Sequence, residues 1–241
     1  MKRFYAALLT FILSSAQVYA AGSFSTGILF GAAGDGGSME KIAGDMNYTM
    51  RQAKSADPAA EVEEIPVYYT PTITLNFRYF YDSLMLQLGW EYASLFYYNE
   101  SGSIDTTADP LNEIEIDYSR FTFPFSAGLV IPGGRRTKFY MAGGINVSFV
   151  MLEITQSNPG TFSWLPDKKT SFAAYIPGFH LKFGAEAILS RNYSILFEYT
   201  RYMSKNSTVE SESGTTEINM GLNTFEIAAG INYTVDTGLS E

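Results

Sequence analysis

Residues 72–93 read TITLNFRYFYDSLMLQLGWEYA. Ile73, Leu75, Phe77, Tyr79 and Tyr81 alternate with Thr72, Thr74, Asn76, Arg78 and Phe80. After Asp82-Ser83, the set Leu84, Leu86, Leu88, Trp90 and Tyr92 alternates with Met85, Gln87, Gly89, Glu91 and Ala93. Successive side chains on a strand point to opposite faces. Each half of the stretch therefore makes a strand with one bulky apolar face about ten residues long, the length of a tilted strand crossing a bilayer.

The same rhythm recurs along the chain. It predicts eight strands: residues 23–33, 67–81, 84–98, 114–131, 138–152, 172–189, a seventh from Tyr193, and 225–235. Long linkers (34–66, 99–113, 153–170 and 204–221) alternate with short turns at Asp82-Ser83, at 132–136 and at Ser190-Arg191-Asn192. The first long linker holds a helix-compatible run, SMEKIAGDMNYTMRQAKSA. Short turns on one side and long loops on the other mark an all-β fold, an eight-stranded antiparallel transmembrane up-and-down β-barrel of the bacterial outer membrane. The fourth strand changes phase: Ile114, Ile116 and Tyr118 are even-numbered, whereas Phe121, Phe123, Phe125, Ala127 and Leu129 are odd. A phase slip inside a strand predicts a β-bulge, with Pro124 as part of the irregularity.

The ends and the composition agree with this reading. Lys2 and Arg3, the apolar run from Phe4 to Leu13, and Val18-Tyr19-Ala20 predict a signal peptide over residues 1–20. The barrel then spans 21–235 and a short tail spans 236–241. Without Lys2 and Arg3, 14 basic residues face 25 acidic ones, which argues against a nucleic-acid partner. There is no cysteine, and a closed barrel needs none because its ladder is complete. Tyr68, Tyr69, Tyr81, Phe96, Tyr97, Tyr98, Tyr118 and Tyr193 lie near strand ends, the placement of interfacial girdles. A soluble lipocalin-like barrel would put the bulky face inside. The other face carries charges among small residues, so it makes a poor apolar cup and a good polar lumen.

The segments FYMAGGINVSF (Phe139–Phe149), YSRFTFPFSAGLVI (Tyr118–Ile131) and GINYTV (Gly230–Val235) make the chain resemble the small eight-stranded bacterial outer-membrane barrels. That group includes the OmpW family, OmpX and Ail, and the OmpA membrane domain. The size and the long first loop are most similar to the OmpW family. One departure is that such families usually end on an aromatic recognised by the barrel-assembly machinery, whereas Val235 closes this strand and DTGLSE follows.

The constellation with chemistry in it is the set of lumen charges Arg78, Glu91, Arg120, Lys182, Glu186, Glu198 and Glu226. Counting from the turns sets Glu198 against Glu186 across the sixth and seventh strands. Arg78 and Lys182 are the available counter-cations, with Arg120 higher up. The set reads either as a selectivity network in a narrow pore or as a plug of ion pairs. Filled eight-stranded lumens favour the plug. His180, the one histidine, has no serine at the next same-face position and reads as a hydrogen-bonded filler. No catalytic residue, cofactor or metal is expected. Asp105, Asp109 and Glu113 lack the spacing of a Ca²⁺ loop.

The resemblance to OmpW implies a narrow passive channel for small, hydrophobic solutes. The alternative is an adhesin whose loops 34–66 and 153–170 bind host or matrix proteins. Outer-membrane lipid, lipopolysaccharide and the barrel-assembly machinery are partners under either reading.

Overall fold

The computed structural model describes residues 22–34, 38–66, 69–94, 100–106, 111–159, 162 and 164–236. The segment expected as a signal peptide, the tail beyond 236, strand ends 67–68 and 95–98, Asp109, and the girdle candidates Tyr68, Phe96, Tyr97 and Tyr98 lie outside them. Eight strands close a ring: β1 (Ser23–Gly34), β3 (Tyr69–Tyr81), β4 (Leu84–Ser94), β6 (Asn112–Pro132), β7 (Thr137–Gln156), β8 (Lys169–Ile188), β9 (Tyr193–Ser204) and β12 (Phe225–Asp236). Each pairs antiparallel with the next, and β12 returns to β1. Among the described residues, four more strands lie in the long loops: β2 (Glu61–Glu63), β5 (Glu100–Asp105), β10 (Ser207–Glu210) and β11 (Glu217–Met220). β2 and β5 extend the wall beside β6, while β10 and β11 form a hairpin of their own. Helix α1 (Ser38–Ala56) occupies the predicted run in the first loop.

The register gives the stagger directly. A ladder row starting at Thr234 runs through Ser25, Arg78, Gln87, Ser126, Gly144, His180 and Tyr202. Tyr202 donates its backbone N–H to Thr224, so the row meets β12 again ten residues along from its start. A tilted closed barrel requires such a stagger. The turn between β3 and β4 is two residues long, and Asp82 adopts φ 52°, the left-handed region that Asp tolerates better than most residues.

The expected bulge in the fourth strand is absent. β6 keeps one register against β7 from Ile114 to Pro132, and the register against β4 is the same on both sides of Pro124. Pro124 only interrupts the ladder locally, with its ring packed against Gly89. Even-numbered side chains face inward along the whole strand. What changes is the surrounding medium. Phe121, Phe123, Phe125 and Leu129 face out below, whereas Ile114, Ile116 and Tyr118 face in above, with Glu113, Glu115 and Asp117 on the outside. The strand leaves lipid and enters water, so the apolar face swaps sides without a slip.

The same inversion occurs on β7 and β8. Phe139, Met141, Ile145 and Val147 face lipid, but Val150, Leu152 and Ile154 turn inward; Phe179 and Phe183 face lipid, but Phe172 and Ile176 turn inward. Tyr118 is therefore a core residue and not a girdle residue, while Tyr69, Tyr81 and Tyr193 are exposed at strand ends.

β6, β7 and β8 are 20 to 21 residues long, against 11 to 13 for the other five strands of the ring. The surplus of about eight residues raises one wall by roughly 25 Å of strand, less its tilt. Inside that wall lies a hydrophobic core. α1 contributes Ile42, Ala43, Met46 and Met50, one stripe at helical spacing. Ile65, Ile104, Phe162, Leu165, Ile218, Met220 and Leu222 join it from the loops. Asn47 clasps the helix to the next segment: its Nδ2 donates to the Ile65 carbonyl at 2.8 Å and its Oδ1 accepts the Ile65 N–H at 2.8 Å. The described segments of the long loops thus pack into a cap over the barrel mouth.

The change of medium along β6 can be tested on each side of the boundary. Phe125→Arg, mid-belt and outward, is expected to destabilise the barrel by about 2–4 kcal/mol in lipid vesicles. Ile116→Ala in the cap is expected to cost a similar amount, about 2–5 kcal/mol, by leaving a cavity. Urea unfolding in vesicles measures both, and a silent Phe125→Arg would place that wall in water. Asn47→Ala leaves the Ile65 N–H and carbonyl unpaired in a buried site. It should lower cap stability by about 1–3 kcal/mol and abolish slow hydrogen exchange at the Ile65 amide.

Candidate functional site

Below the cap, inward positions of the ring carry the charges. Arg78, Glu91, Arg120, Lys182, Glu186, Glu198 and Glu226 are all between 0% and 5% exposed. The strand period puts them there: each shares parity with the small residues of its own strand, so all seven face the lumen.

The lowest group centres on Arg78. Its guanidinium lies 5.4 Å from the Phe80 ring and 5.6 Å from the Tyr140 ring, held between two aromatic faces. Its Nη1 is 3.4 Å from Glu186 Oε2. The other Glu186 oxygen accepts from Ser194 Oγ at 2.5 Å and from Asn232 Nδ2 at 3.4 Å. The second group joins Lys182 Nζ to Glu198 Oε1 at 2.5 Å, while Tyr140 Oη donates to Glu198 Oε2 at 2.5 Å. Tyr140 reaches across an entire strand to do so. Gly184 lies between them in the ladder, and a Cβ there would sit 2.0 Å from the tyrosine ring. The third group joins Arg120 to one Glu91 oxygen and the Tyr202 hydroxyl to the other, with Arg120 5.6 Å from the Tyr202 ring.

Glu198 does not face Glu186. Its ladder partner is Gly184, and Glu186 pairs with Leu196, because the hairpin closes with Ile188 opposite Ser194. The two carboxylates bind different cations instead of competing for one.

Glu226 is the remaining acid. It accepts from Thr72 Oγ1 at 2.8 Å and Thr74 Oγ1 at 3.2 Å, adjoins Glu91, and forms no ion pair among the described residues. Among these seven residues, four carboxylates therefore face three cations.

His180 Nε2 lies 2.7 Å from Ser126 Oγ, two strands away across Gly144. A serine within reach of a histidine is the beginning of a nucleophile–base pair. Both residues are buried at 1% exposure or less, and His180 Nδ1 has no hydrogen-bond partner among the described residues to orient the ring. The contact fills the wall.

The partners Tyr140, Tyr202 and Ser194 are not among the residues that the sequence pattern singles out, and Thr72 and Thr74 appear there only as members of the face that carries Arg78. Parity could have found the two tyrosines, since Tyr140 is in phase with Ala142 and Asn146, and Tyr202 with Glu198 and Thr200. Which carboxylate each one meets depends on the stagger, which no local pattern encodes.

Removing a cation and removing the surplus acid should differ sharply. Lys182→Ala leaves Glu198 buried with only the Tyr140 hydroxyl and is expected to cost about 3–5 kcal/mol. Glu226→Gln keeps an oxygen for both threonines and a hydrogen-bonding group toward Glu91, so it should be neutral or stabilising. Urea midpoints of the refolded variants measure this, and equal losses for the two would mean the charges are not matched in these pairs.

No protein-family model matches the sequence, and no curated protein matches it either. Solved structures do. The outer membrane protein OprG from Pseudomonas aeruginosa aligns over 90% of this chain and 98% of its own, with 11% identity and a TM-score of 0.51. A major outer membrane protein from Thermus thermophilus aligns over 89% of this chain and 100% of its own, with 12% identity and a TM-score of 0.51. Outer Membrane Protein W of E. coli aligns over 90% of this chain and 100% of its own, with 15% identity and a TM-score of 0.36. With a closed ring of eight strands and an apolar outer belt, the chain has the fold of the small bacterial outer-membrane β-barrels.

Proposed function

We propose that this protein is a non-conducting barrel whose extracellular cap binds proteins at the cell surface, with the barrel as its membrane stake. The observation that carries the reading is the continuous filling of the lumen. Phe80 and Met85 lie near the turn end, three ion pairs cross the middle, and the α1 core fills the loop end. A passive path for a hydrophobic solute would have to displace the cap and at least one buried ion pair. Each displacement costs several kcal/mol.

The cap also has a surface suited to binding. The outward face of β2, β5, β6 and β7 carries Glu61, Glu63, Asp105, Glu113, Glu115, Asp117 and Glu153. Glu61 stands directly opposite Asp105, and Asp117 directly opposite Glu153. Like charges across a ladder destabilise it. Lys169 offsets one of them, 2.7 Å from Glu153. A local rule broken at a stability cost points to function, and the chemistry favours a basic protein surface approached by electrostatic steering.

Planar-bilayer recording on the refolded protein tests the closed lumen. Wild type should add no conductance steps, and Arg78→Ala or Lys182→Ala should destabilise the barrel or open it. A wild type that conducts, with selectivity altered by either substitution and stability kept, would overturn the proposal. Adhesion of cells bearing the protein to immobilised basic matrix proteins should fall as salt rises. It should also fall when Asp117 and Glu153 are both changed to Ser.

A further inference from the structure

The lumen network holds more acid than its cations can balance. Arg78, Lys182 and Arg120 are each taken by one carboxylate, Glu186, Glu198 and Glu91 respectively. Glu226 is the fourth acid, 2% exposed. It stands on β12 with Ala33 and Thr200 as its ladder neighbours. From there it reaches past Gly31 and Ala33 of β1 to Thr72 and Thr74 on β3. Both threonine hydroxyls donate to the same oxygen, Glu226 Oε1. Thr74 is also the ladder partner of Glu91 on β4, so the two carboxyl groups meet beside it. Glu91 is held as the anion, because Arg120 binds its Oε1 and the Tyr202 hydroxyl its Oε2.

We infer that Glu91 and Glu226 hold one proton between them, and that this proton site fastens the cap to the barrel. Two ionised carboxylates do not share a buried site without a cation between them. A hydrogen bond between two carboxyl groups also needs a donor, and an ionised carboxylate has none. The contacts say where the hydrogen sits. Glu226 Oε1 accepts from both threonines and is the carbonyl oxygen, so Oε2 is the hydroxyl and donates to Glu91. With that proton in place three anions face three cations, and the seven-residue network is neutral. The other titratable groups facing the pair are Tyr202 and Glu198 from β9, Lys182 and His180 from β8, and Tyr118 from β6. Tyr118 and Tyr202 belong to the cap core, together with Ile42 and Met46 of α1. Loss of the proton sets a second negative charge against Glu91 directly under that core. Arg120 and Tyr202 are already committed to Glu91, so the charge is relieved by admitting water from above. Rising pH therefore loosens the cap, whatever the cap binds.

The full-length protein refolded in lipid vesicles tests this in two ways. Infrared spectra of wild type at neutral pH should show a protonated, buried carboxyl stretch. The band should be missing from Glu226→Gln, which presents an amide to Glu91 in place of the hydroxyl. Folded wild type then binds one proton more than the unfolded chain, whose glutamates ionise at about pH 4.3. Its stability accordingly falls as pH rises. Relative to Glu226→Gln, its folded-to-unfolded ratio from urea unfolding should drop about tenfold per pH unit between about pH 6 and 8, every other group being common to both. Hydrogen exchange at the Ile65 amide, corrected for the intrinsic rate, should quicken over the same range in wild type only. Absence of the infrared band, parallel pH profiles for the two proteins, a Glu226→Gln that fails to fold, or a wild-type midpoint that follows sodium concentration in place of pH would each overturn the proposal.

Discussion

Lipid offers no hydrogen bonds, so a chain that crosses it with strands must pair every backbone group within itself. That requirement makes the ring closed. Closure fixes the tilt and stagger, and these decide which side chains meet across the lumen. A row that climbs ten residues in one circuit brings Tyr140 over Gly184 to Glu198 and Ser126 past Gly144 to His180. The glycines matter through the space they leave. At both positions a Cβ would collide with a neighbouring residue: the Tyr140 ring at Gly184, the Phe125 carbonyl at Gly144.

The barrel wall is one ladder passing through two media. Its period of two never changes, yet the apolar side chains move from the outer to the inner face where β6, β7 and β8 rise out of the bilayer. Below that level the lipid accepts the bulky face, and the inside holds charges and hydroxyls beside a small apolar cluster of Leu29, Phe80, Met85 and Leu196. Above it water surrounds the wall, and burial again rewards an apolar interior. α1 and the loop segments supply the other half of that interior, so the protein has a membrane barrel and a water-type core built on the same strands.

The lumen charges follow from the same constraint. A buried carboxylate without a counter-charge is costly, and an ion pair taken out of water gains little beyond repaying its own desolvation. The network therefore contributes filling and specificity more than net stability. Three pairs occupy the middle of the lumen at different heights, each closed by a hydroxyl or an aromatic ring. That arrangement tolerates one unmatched acid, Glu226, by giving it two threonine hydroxyls.

The ring strands, their order and the face each presents within the apolar belt were legible in the residue pattern, because a period of two and the position of turns are local properties. So was the helix over residues 38–56, and so was the shared lumen of Arg78, Lys182, Glu186 and Glu198. Three things depended on the folded ring. Glu198 takes Lys182 and Tyr140 instead of confronting Glu186, since that rests on a hairpin register and a stagger summed around eight strands. The phase change at Tyr118 is no bulge. A sequence shows where apolar residues switch faces, but whether the ladder slips or the medium changes depends on how far the strand extends beyond the lipid. And the long loops make a packed cap, because Ile42, Met46, Ile116, Ile154 and Met220 are far apart in the chain and become one core only when the closed ring brings their segments together.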